Sequence, residues 1–115
     1  MTTLLYTHEA CLGHDPGPMH PESPARLKAV LAALDTEEFA VLERREAPEA
    51  TREQLARVHP ESYIDRVFAA IPESGYLGID GDTTVSPGSG RAALRAAGAV
   101  CAAVDARSLT RIVLG

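Results

Sequence analysis

Short apolar runs alternate with helical apolar patterns along this chain, and the alternation favours the α/β class of folds. Leu4-Leu5-Tyr6 has the composition of a buried strand. The Ser23-Pro24 pair supplies an N-cap followed by proline at the first helical position, and apolar side chains at helical spacing come after it. We therefore expect a strand, a long loop from His8 to Ser23 and then a helix.

The alternation continues beyond this helix. We expect a second strand at Phe39 to Arg44, a capped helix from Thr51, and a further helix that follows His59-Pro60 and ends before Pro72. A loop rich in Gly, Asp and Thr is expected from Glu73 to Pro87. Strands and helices that alternate in this way are typical of a parallel sheet.

The last predicted helix begins at Ser86-Pro87 and is rich in alanine, which indicates close packing against a sheet or another helix. A final strand is expected at Thr110 to Leu114. Two or three strands with four helices make an unbalanced domain, because a parallel sheet normally has more strands. We therefore predict a single partial domain over residues 1–115. The predicted buried face of the last helix consists of Leu94, Ala97, Cys101 and Val104.

Composition excludes several classes of function. With 11 basic and 16 acidic residues, the chain has a formal net charge of −5, which disfavours direct binding to nucleic-acid phosphates. No apolar run approaches the roughly 20 residues that cross a bilayer, and the N-terminus lacks the pattern of a secretory leader. Two cysteines do not make a disulfide framework, so we expect a cytoplasmic location without membrane contact.

The first loop contains the strongest candidates for metal or nucleophile chemistry. Cys11, His14 and His20 are zinc-ligand types, but their spacing is not that of a paired-cysteine knuckle, so we predict no metal site in this chain. Cys11 beside His8 or His14 is a weaker candidate for a thiol nucleophile. Neither a Gly-x-Gly-x-x-Gly loop nor a Gly-x-Ser-x-Gly elbow occurs. A small metal-binding protein stays an open alternative.

Arg26, Asp80 and Asp82 each allow two interpretations. Arg26 in the first turn of its helix is either a solvated arginine or a guanidinium that faces the first loop and binds a carboxylate bidentately. Asp80 and Asp82 are either turn formers or carboxylates that hold a ligand, and their spacing favours the turn.

An ordered set of motifs closely resembles the opening of the histone deacetylase superfamily, which includes bacterial acetoin-utilisation proteins and acetylpolyamine amidohydrolases. Its first parts are Leu5-Tyr6-Thr7-His8 and His20-Pro21-Glu22-Ser23-Pro24-Ala25-Arg26-Leu27. Further matches follow in the same order at Ala50-Thr51 to Leu55, Val58-His59-Pro60 to Tyr63, Asp80-Gly81-Asp82-Thr83, and Ser86 to Val100. The set covers nearly everything from Leu4 to about Asp105, and its order is more specific than any one motif.

The resemblance implies the N-terminal part of a three-layer α/β/α fold of the arginase/deacetylase type, with a mainly parallel sheet. It implies a zinc-dependent deacetylase, that is, an amidohydrolase that cleaves the C–N bond of an acyl amide. Arg26 matches the arginine that lines the channel beneath the metal, and Asp82 matches the rim aspartate that holds substrate in some members. His20, Pro21 and Glu22 match the motif that shapes the first active-site loop.

The chain departs from the family where the metal should be bound. The family's Gly-His-His pair, its Asp, His and Asp zinc ligands and its catalytic Tyr or His are missing, since no histidine follows His59 and no tyrosine follows Tyr76. We therefore predict no catalytic residue and no metal ligand in this chain, and no deacetylase activity for the chain alone. Zinc is expected in the full-length family member.

Substrate and partners stay open between two interpretations. If the chain is the segment of a longer enzyme, the expected partner is an acylated small molecule or an acetyl-lysine peptide. The alternative is a non-catalytic deacetylase-like module for binding or oligomerisation, in which exposed sheet edges and helix faces favour a homo-oligomer.

Overall fold

The computed structural model describes residues 2–106 and 111–114, and a parallel sheet lies at its centre. Three parallel strands pair in the order β2-β1-β5, and β3 pairs with β4 in a separate antiparallel hairpin. The predicted α/β class with a mainly parallel sheet is confirmed. The elements are β1 (Thr3–Thr7), α1 (Pro24–Leu34), β2 (Glu43–Glu46), α2 (Arg52–Ala56), α3 (Glu61–Ala69), β3 (Leu77–Gly78), β4 (Thr84–Val85), α4 (Ser89–Asp105) and β5 (Arg111–Leu114), with 3-10 turns at Glu9–Gly13 and Glu37–Phe39.

The central strand β1 is buried on both faces, as the inner strand of a parallel sheet should be. Leu4 and Tyr6 point to one face and pack with Ala99 and Ala103 of α4. Leu5 points to the other face and has no exposed surface. This alternation explains why a run of three apolar residues identified the strand from sequence.

A helix end also lies on the second face of the sheet. Arg44 of β2 is paired in register with Leu5, so the two side chains share a face. The Arg44 guanidinium donates a hydrogen bond to the carbonyl of Leu34, the last residue of α1. With α4 on one face and the end of α1 on the other, the described residues have the layer order expected of an α/β/α fold.

Helix α4 approaches the chain after β2 very closely. A Cβ atom on Gly98 would overlap the Pro48 carbonyl oxygen, and the Ala50 N–H donates to the Leu94 carbonyl at 2.9 Å. The predicted close packing is confirmed, but the predicted buried face is only partly correct. Leu94, Ala97 and Cys101 are half-buried, whereas Val104 is 60% exposed. Only small side chains fit so near a neighbouring backbone. The buried positions of α4 are Ser89, Gly90, Ala92, Gly98, Ala99 and Ala103.

The second strand lies later in the chain than predicted. Phe39 ends a 3-10 turn, Val41 is 85% exposed, and β2 consists of four exposed charged residues. At the edge of the described sheet, β2 is held by backbone hydrogen bonds to β1, so apolar side chains are not required there. An apolar pattern could not reveal such a strand.

The helix starts are predicted well, with one exception. Ser23 caps α1 by accepting the Ala25 N–H, and Thr51 with Gln54 forms a complete capping box on α2. By contrast, α4 begins only at Ser89, because Pro87 and Gly88 form a turn.

Two further predictions concern the ends of the second loop and of the chain. The predicted loop at residues 73–87 also contains the β3–β4 hairpin, whose two-residue strands are too short to give a pattern. The predicted last strand is present as β5, although Thr110 lies outside the described residues. None of the helices in the described ranges is both long enough and apolar enough to span a lipid bilayer.

Candidate functional site

A cavity of about 340 Å³ lies between the first loop, the start of α1, the helix α3 and the start of α4. Its volume is within the range of small-molecule sites. One part of the wall is polar and the other is apolar, so the cavity suits a small ligand with both kinds of surface. The polar part includes Cys11, His14, Glu22, Arg26 and Ser89, and the apolar part includes Leu27, Val67, Phe68, Ile71 and Val85.

Two glycines let the walls of this cavity come together. A Cβ atom on Gly88 would overlap the carbonyl of Gly13, so the 3-10 turn after β1 packs backbone to backbone against the start of α4. Gly90 lies against Phe68 and Ile71 of the α3 segment, where a Cβ would be 3.3 Å from the Phe68 ring. These contacts fix the first loop against α4 and leave the cavity beside them.

A chain of hydrogen bonds crosses the polar wall. The Ser86 N–H donates to Ser89 Oγ at 2.9 Å, and Ser89 Oγ lies 2.7 Å from His14 Nδ1. On the other side of the ring, His14 Nε2 lies 3.2 Å from Glu22 Oε2. This series of hydrogen bonds joins His14 and Glu22 of the first loop to the first turn of α4, although His14 and Ser89 are 75 positions apart.

The first loop is attached at a second point through Asp15. Its N–H donates to Ser86 Oγ at 3.2 Å, and its carboxylate accepts the Gly17 N–H at 3.0 Å. Gly17 has φ +103, a left-handed conformation that a residue with a side chain rarely adopts. The loop is therefore held in one course by its own turn and by α4.

His20 connects the first loop to the β3–β4 hairpin. Its Nδ1 accepts the Glu22 N–H at 3.1 Å, so Nε2 carries the proton and donates to the Asp82 carbonyl at 2.7 Å. The Asp82 N–H in turn donates to the Asp80 carboxylate, and this hydrogen bond lowers the pKa of Asp80. The structure brings His20, Glu22 and Asp82 together through backbone groups, while the Asp82 carboxylate and Pro21 are exposed.

Arg26 lines the cavity and is exposed to solvent. The described residues give its guanidinium neither an ion pair nor a hydrogen bond. Glu22, four positions earlier, lines the same cavity but bonds to His14 instead. Exposure agrees with the solvated interpretation of Arg26, and its place in the cavity wall leaves the carboxylate-binding interpretation a prediction.

The Cys11 thiol also lines the cavity and is half-buried. Burial raises its pKa, although the nearby positive charge of Arg95 partly opposes that effect. Arg95 itself donates to the Ala47 carbonyl at 2.9 Å and pairs with Glu49 at 3.4 Å. A thiol with a raised pKa stays protonated at neutral pH, which does not favour Cys11 as a nucleophile.

The zinc-ligand types of the first loop do not form a metal site in the structure. Over residues 2–106 and 111–114, no three His, Cys, Asp or Glu side chains come together in a way that would hold a metal ion. His14 is bonded to Ser89 and Glu22, and His20 is bonded to Asp82 and Glu22. The described residues therefore do not fit zinc.

Sequence reasoning missed the contact between His14 and Ser89. From sequence, His14 is a candidate only as a metal ligand or thiol partner, Ser86 is interpreted only as a helix start, and Ser89 is not a candidate. A contact between residues 75 positions apart depends on tertiary packing and has no local signal. The one sequence signal for this contact is Ser89 itself, a second hydroxyl three residues after Ser86.

The comparisons with known proteins agree with one another. The family profile described as "Histone deacetylase domain" matches residues 20–110. A "Histone deacetylase-like amidohydrolase" of Pseudomonas aeruginosa is 34% identical over 122 residues, which cover 90% of this chain and 32% of that protein. "Histone deacetylase 14, chloroplastic" of Arabidopsis thaliana is also 34% identical and covers 89% of this chain and 27% of that protein.

A solved structure is similar as well. The crystal structure titled "HDA15 HD domain" has a TM-score of 0.78 and 30% identity, with 90% of this chain and 31% of that chain covered. The chain thus spans about a third of the length of the proteins that it matches.

Proposed function

Because this chain belongs to the histone deacetylase family, we propose that it is the N-terminal segment of a zinc-dependent enzyme that hydrolyses acyl amides. The observation that carries the proposal is the position of the family's opening motif. Glu22 and Arg26 of that motif line one cavity, and His20, which precedes them in the first loop, is hydrogen-bonded to the hairpin that bears Asp82. The segment would then supply the ligand-binding wall of the site.

Arg26 is proposed to bind the carboxylate that amide hydrolysis releases. A guanidinium recognises a carboxylate through two parallel N–H donors, and Arg26 has no carboxylate partner among the described residues. The apolar wall, with Val67, Phe68 and Ile71, suits the alkyl part of an acyl group. The cavity thereby matches both ends of a small carboxylate product.

Asp82 is proposed to hold the substrate at the rim. Its carboxylate is exposed, and its backbone is fixed on both sides by His20 and Asp80. A carboxylate in that position can accept a hydrogen bond from a substrate N–H or pair with an ammonium group. Both an acetyl-lysine peptide and an acetylpolyamine offer such groups, so both stay candidate substrates.

The metal is proposed to be held by sequence outside this chain. The described residues do not fit zinc, no histidine follows His59, and the matched proteins are about three times as long. Bound zinc would supply Lewis-acid polarisation of the acyl carbonyl. We accordingly propose that the chain alone has no deacetylase activity, that it makes no direct contact with nucleic acid, and that the whole protein is cytoplasmic.

A chimeric enzyme tests the proposal. The matched third of the Pseudomonas aeruginosa protein is replaced by residues 1–115, and hydrolysis of an acetylated lysine substrate is measured with zinc present. We expect the chimera to be active and the 115-residue chain to be inactive. Activity of the chain alone, or no activity in a folded chimera that binds zinc, would contradict the proposal.

A substitution in the chimera tests the role of Arg26. Arg26→Gln should reduce turnover by about tenfold or more, because hydrogen bonds to charged groups contribute about 1.5–3 kcal/mol. The matched control is Arg57→Gln, since Arg57 is exposed and only pairs with Glu53 on its own helix turn. Equal activity of Arg26→Gln and Arg57→Gln would show that Arg26 is not part of the active site.

A non-catalytic module that oligomerises is the second candidate, and exposed apolar side chains on α4 favour it. Val100 and Val104 are 49% and 60% exposed and lie one helical turn apart. Sedimentation velocity of the purified chain distinguishes the candidates. A dimer that Val104→Ser dissociates would favour the module, and a monomer would exclude self-association.

A further inference from the structure

We infer that His14 is a positioning residue that holds the Glu22 carboxylate away from Arg26, and thereby keeps the guanidinium free for an anion in the cavity. The inference rests on the proposed function only for the identity of that anion. It concerns a competition between two partners for one carboxylate, and both partners are described in the structure.

Glu22 is the natural competitor for Arg26. The two residues have opposite charge, are four positions apart at the start of α1, and line the same cavity. A bidentate pair of guanidinium and carboxylate is the strongest hydrogen-bonded contact that either side chain can make. The structure nevertheless pairs Glu22 Oε2 with His14 Nε2 at 3.2 Å. Without His14, we expect Glu22 to turn to Arg26.

The Glu22 carboxylate determines which ring nitrogen of the neutral His14 carries the proton. An ionised carboxylate only accepts hydrogen bonds, so Nε2 at 3.2 Å is the donor, and Nδ1 accepts the Ser89 hydroxyl proton at 2.7 Å. Ser89 Oγ in turn accepts the Ser86 N–H at 2.9 Å. Each donor in this series of hydrogen bonds thus points towards Glu22. A neutral His14 is therefore sufficient to bind the Glu22 carboxylate.

His14 is fixed firmly by Ser89 but binds Glu22 only weakly. Ser89 is only 5% exposed and lies in the first turn of α4, so His14 is oriented by a fixed group. The Glu22 side chain is 65% exposed, and solvent weakens pairs between exposed charged groups. Because both contacts of Glu22 are weak, the oriented Nε2–H donor of His14 is enough to decide whether Glu22 binds His14 or Arg26.

Acetate titrations of the 115-residue chain, followed by NMR on the Arg26 side-chain Nε–Hε resonance, test the inference. His14→Leu should shift this resonance and measurably weaken acetate binding, by up to about fivefold, which is the upper limit for an exposed ion pair. Glu22→Gln alone is the reference for the double variant and should bind acetate at least as tightly as the unmodified chain, because a negative charge is removed from the cavity wall. The double variant His14→Leu/Glu22→Gln should recover the original affinity, because the competing carboxylate is gone.

Recovery in the double variant separates positioning from a merely structural role. If the loop had only been loosened, removal of the Glu22 charge would not restore the affinity, and that result would overturn the inference. An unchanged Arg26 resonance in His14→Leu would overturn it as well. Should His14→Leu fail to fold, Ser89→Ala removes the group that orients His14 and is expected to give the same shift.

The same titration tells the inference apart from the proposed function. If the unmodified chain binds no acetate, the proposed carboxylate role of Arg26 fails. The inference is then decided by the Arg26 resonance alone, which His14→Leu must shift and Glu22→Gln must restore. Sodium chloride at equal ionic strength is the control for screening by salt.

Discussion

The two ends of α4 are held in opposite ways. In its C-terminal half, Gly98 meets the Pro48 carbonyl, and Ala99 and Ala103 pack with Leu4 and Tyr6 of β1. At its N-terminal end, Ser89 and Gly90 meet the first loop, and the contact is a chain of directed hydrogen bonds. The first contact depends on shape and the second on donor direction.

The packed half of α4 contributes mainly to stability, and its hydrogen-bonded N-terminal end contributes mainly to ligand recognition. Close packing of small residues excludes water, and it tolerates no added atom because backbone cannot move aside. A hydrogen-bond chain contributes little net stability but orients the groups that it joins. Substitutions at the two ends of α4 should therefore affect different measurements, and two substitutions, Gly98→Val and Ser89→Ala, test that expectation.

Gly98→Val should have the largest effect, with a loss of more than about 4 kcal/mol in the free energy of unfolding. The new side chain would collide with the Pro48 carbonyl, which is fixed by the Ala50 to Leu94 backbone hydrogen bond beside it. Urea denaturation followed by circular dichroism measures the change. The matched control is Gly81→Val in the hairpin loop, where a Cβ meets nothing within 4 Å. Similar midpoints for the two variants would contradict the account of α4 packing.

Only part of this contrast could be predicted from sequence. The alanine content predicted the close packing of α4, because small side chains are required wherever backbones meet. The buried face is predicted only in part, since Leu94 of that face is half-buried but Val104 is exposed. A pattern of apolar spacing cannot tell that a neighbouring backbone leaves no room for a large side chain.

The sequence motif selects candidate site residues but does not predict the contacts between them. The motif identified Arg26, Asp82 and His20-Pro21-Glu22, and the structure brings Glu22 and Arg26 to one cavity. The contact between His14 and Ser89 spans 75 positions and depends on the course of the first loop. β2 escaped prediction for a related reason, since an edge strand of charged residues is defined by its partner and not by its own pattern.

Ser89→Ala should have a smaller effect on stability and a clear effect on recognition. The substitution leaves the Ser86 N–H and His14 Nδ1 without their partner, which costs about 1–3 kcal/mol for buried groups. Acetate binding at Arg26 should weaken as it does when His14 is replaced. Urea denaturation and the NMR titration on the same sample measure both quantities. If Ser89→Ala lost as much unfolding free energy as Gly98→Val, the proposed difference between the two ends of α4 would be contradicted.

The smallest effect is expected at Asp80 in acid. The Asp82 N–H donates to the Asp80 carboxylate and lowers its pKa, so the ionised form favours the folded hairpin. That contribution is complete above the pKa of the unfolded chain and is lost as the pH falls through the lowered pKa of the folded one. The Asp82 amide resonance should shift over that range in the unmodified chain. In Asp80→Asn the acid-dependent shift should disappear, and its persistence would assign the titration to another group.

The most direct test of the central claim is a comparison of acetate binding by the unmodified chain and by Arg26→Gln. If the cavity beside α4 is the carboxylate site of a histone deacetylase-family segment, acetate should bind saturably to the unmodified chain. Arg26→Gln should reduce the affinity by about tenfold or more, and Arg57→Gln should leave it unchanged. Equal acetate affinity of the unmodified chain and Arg26→Gln, or no saturable binding at all, would contradict the claim.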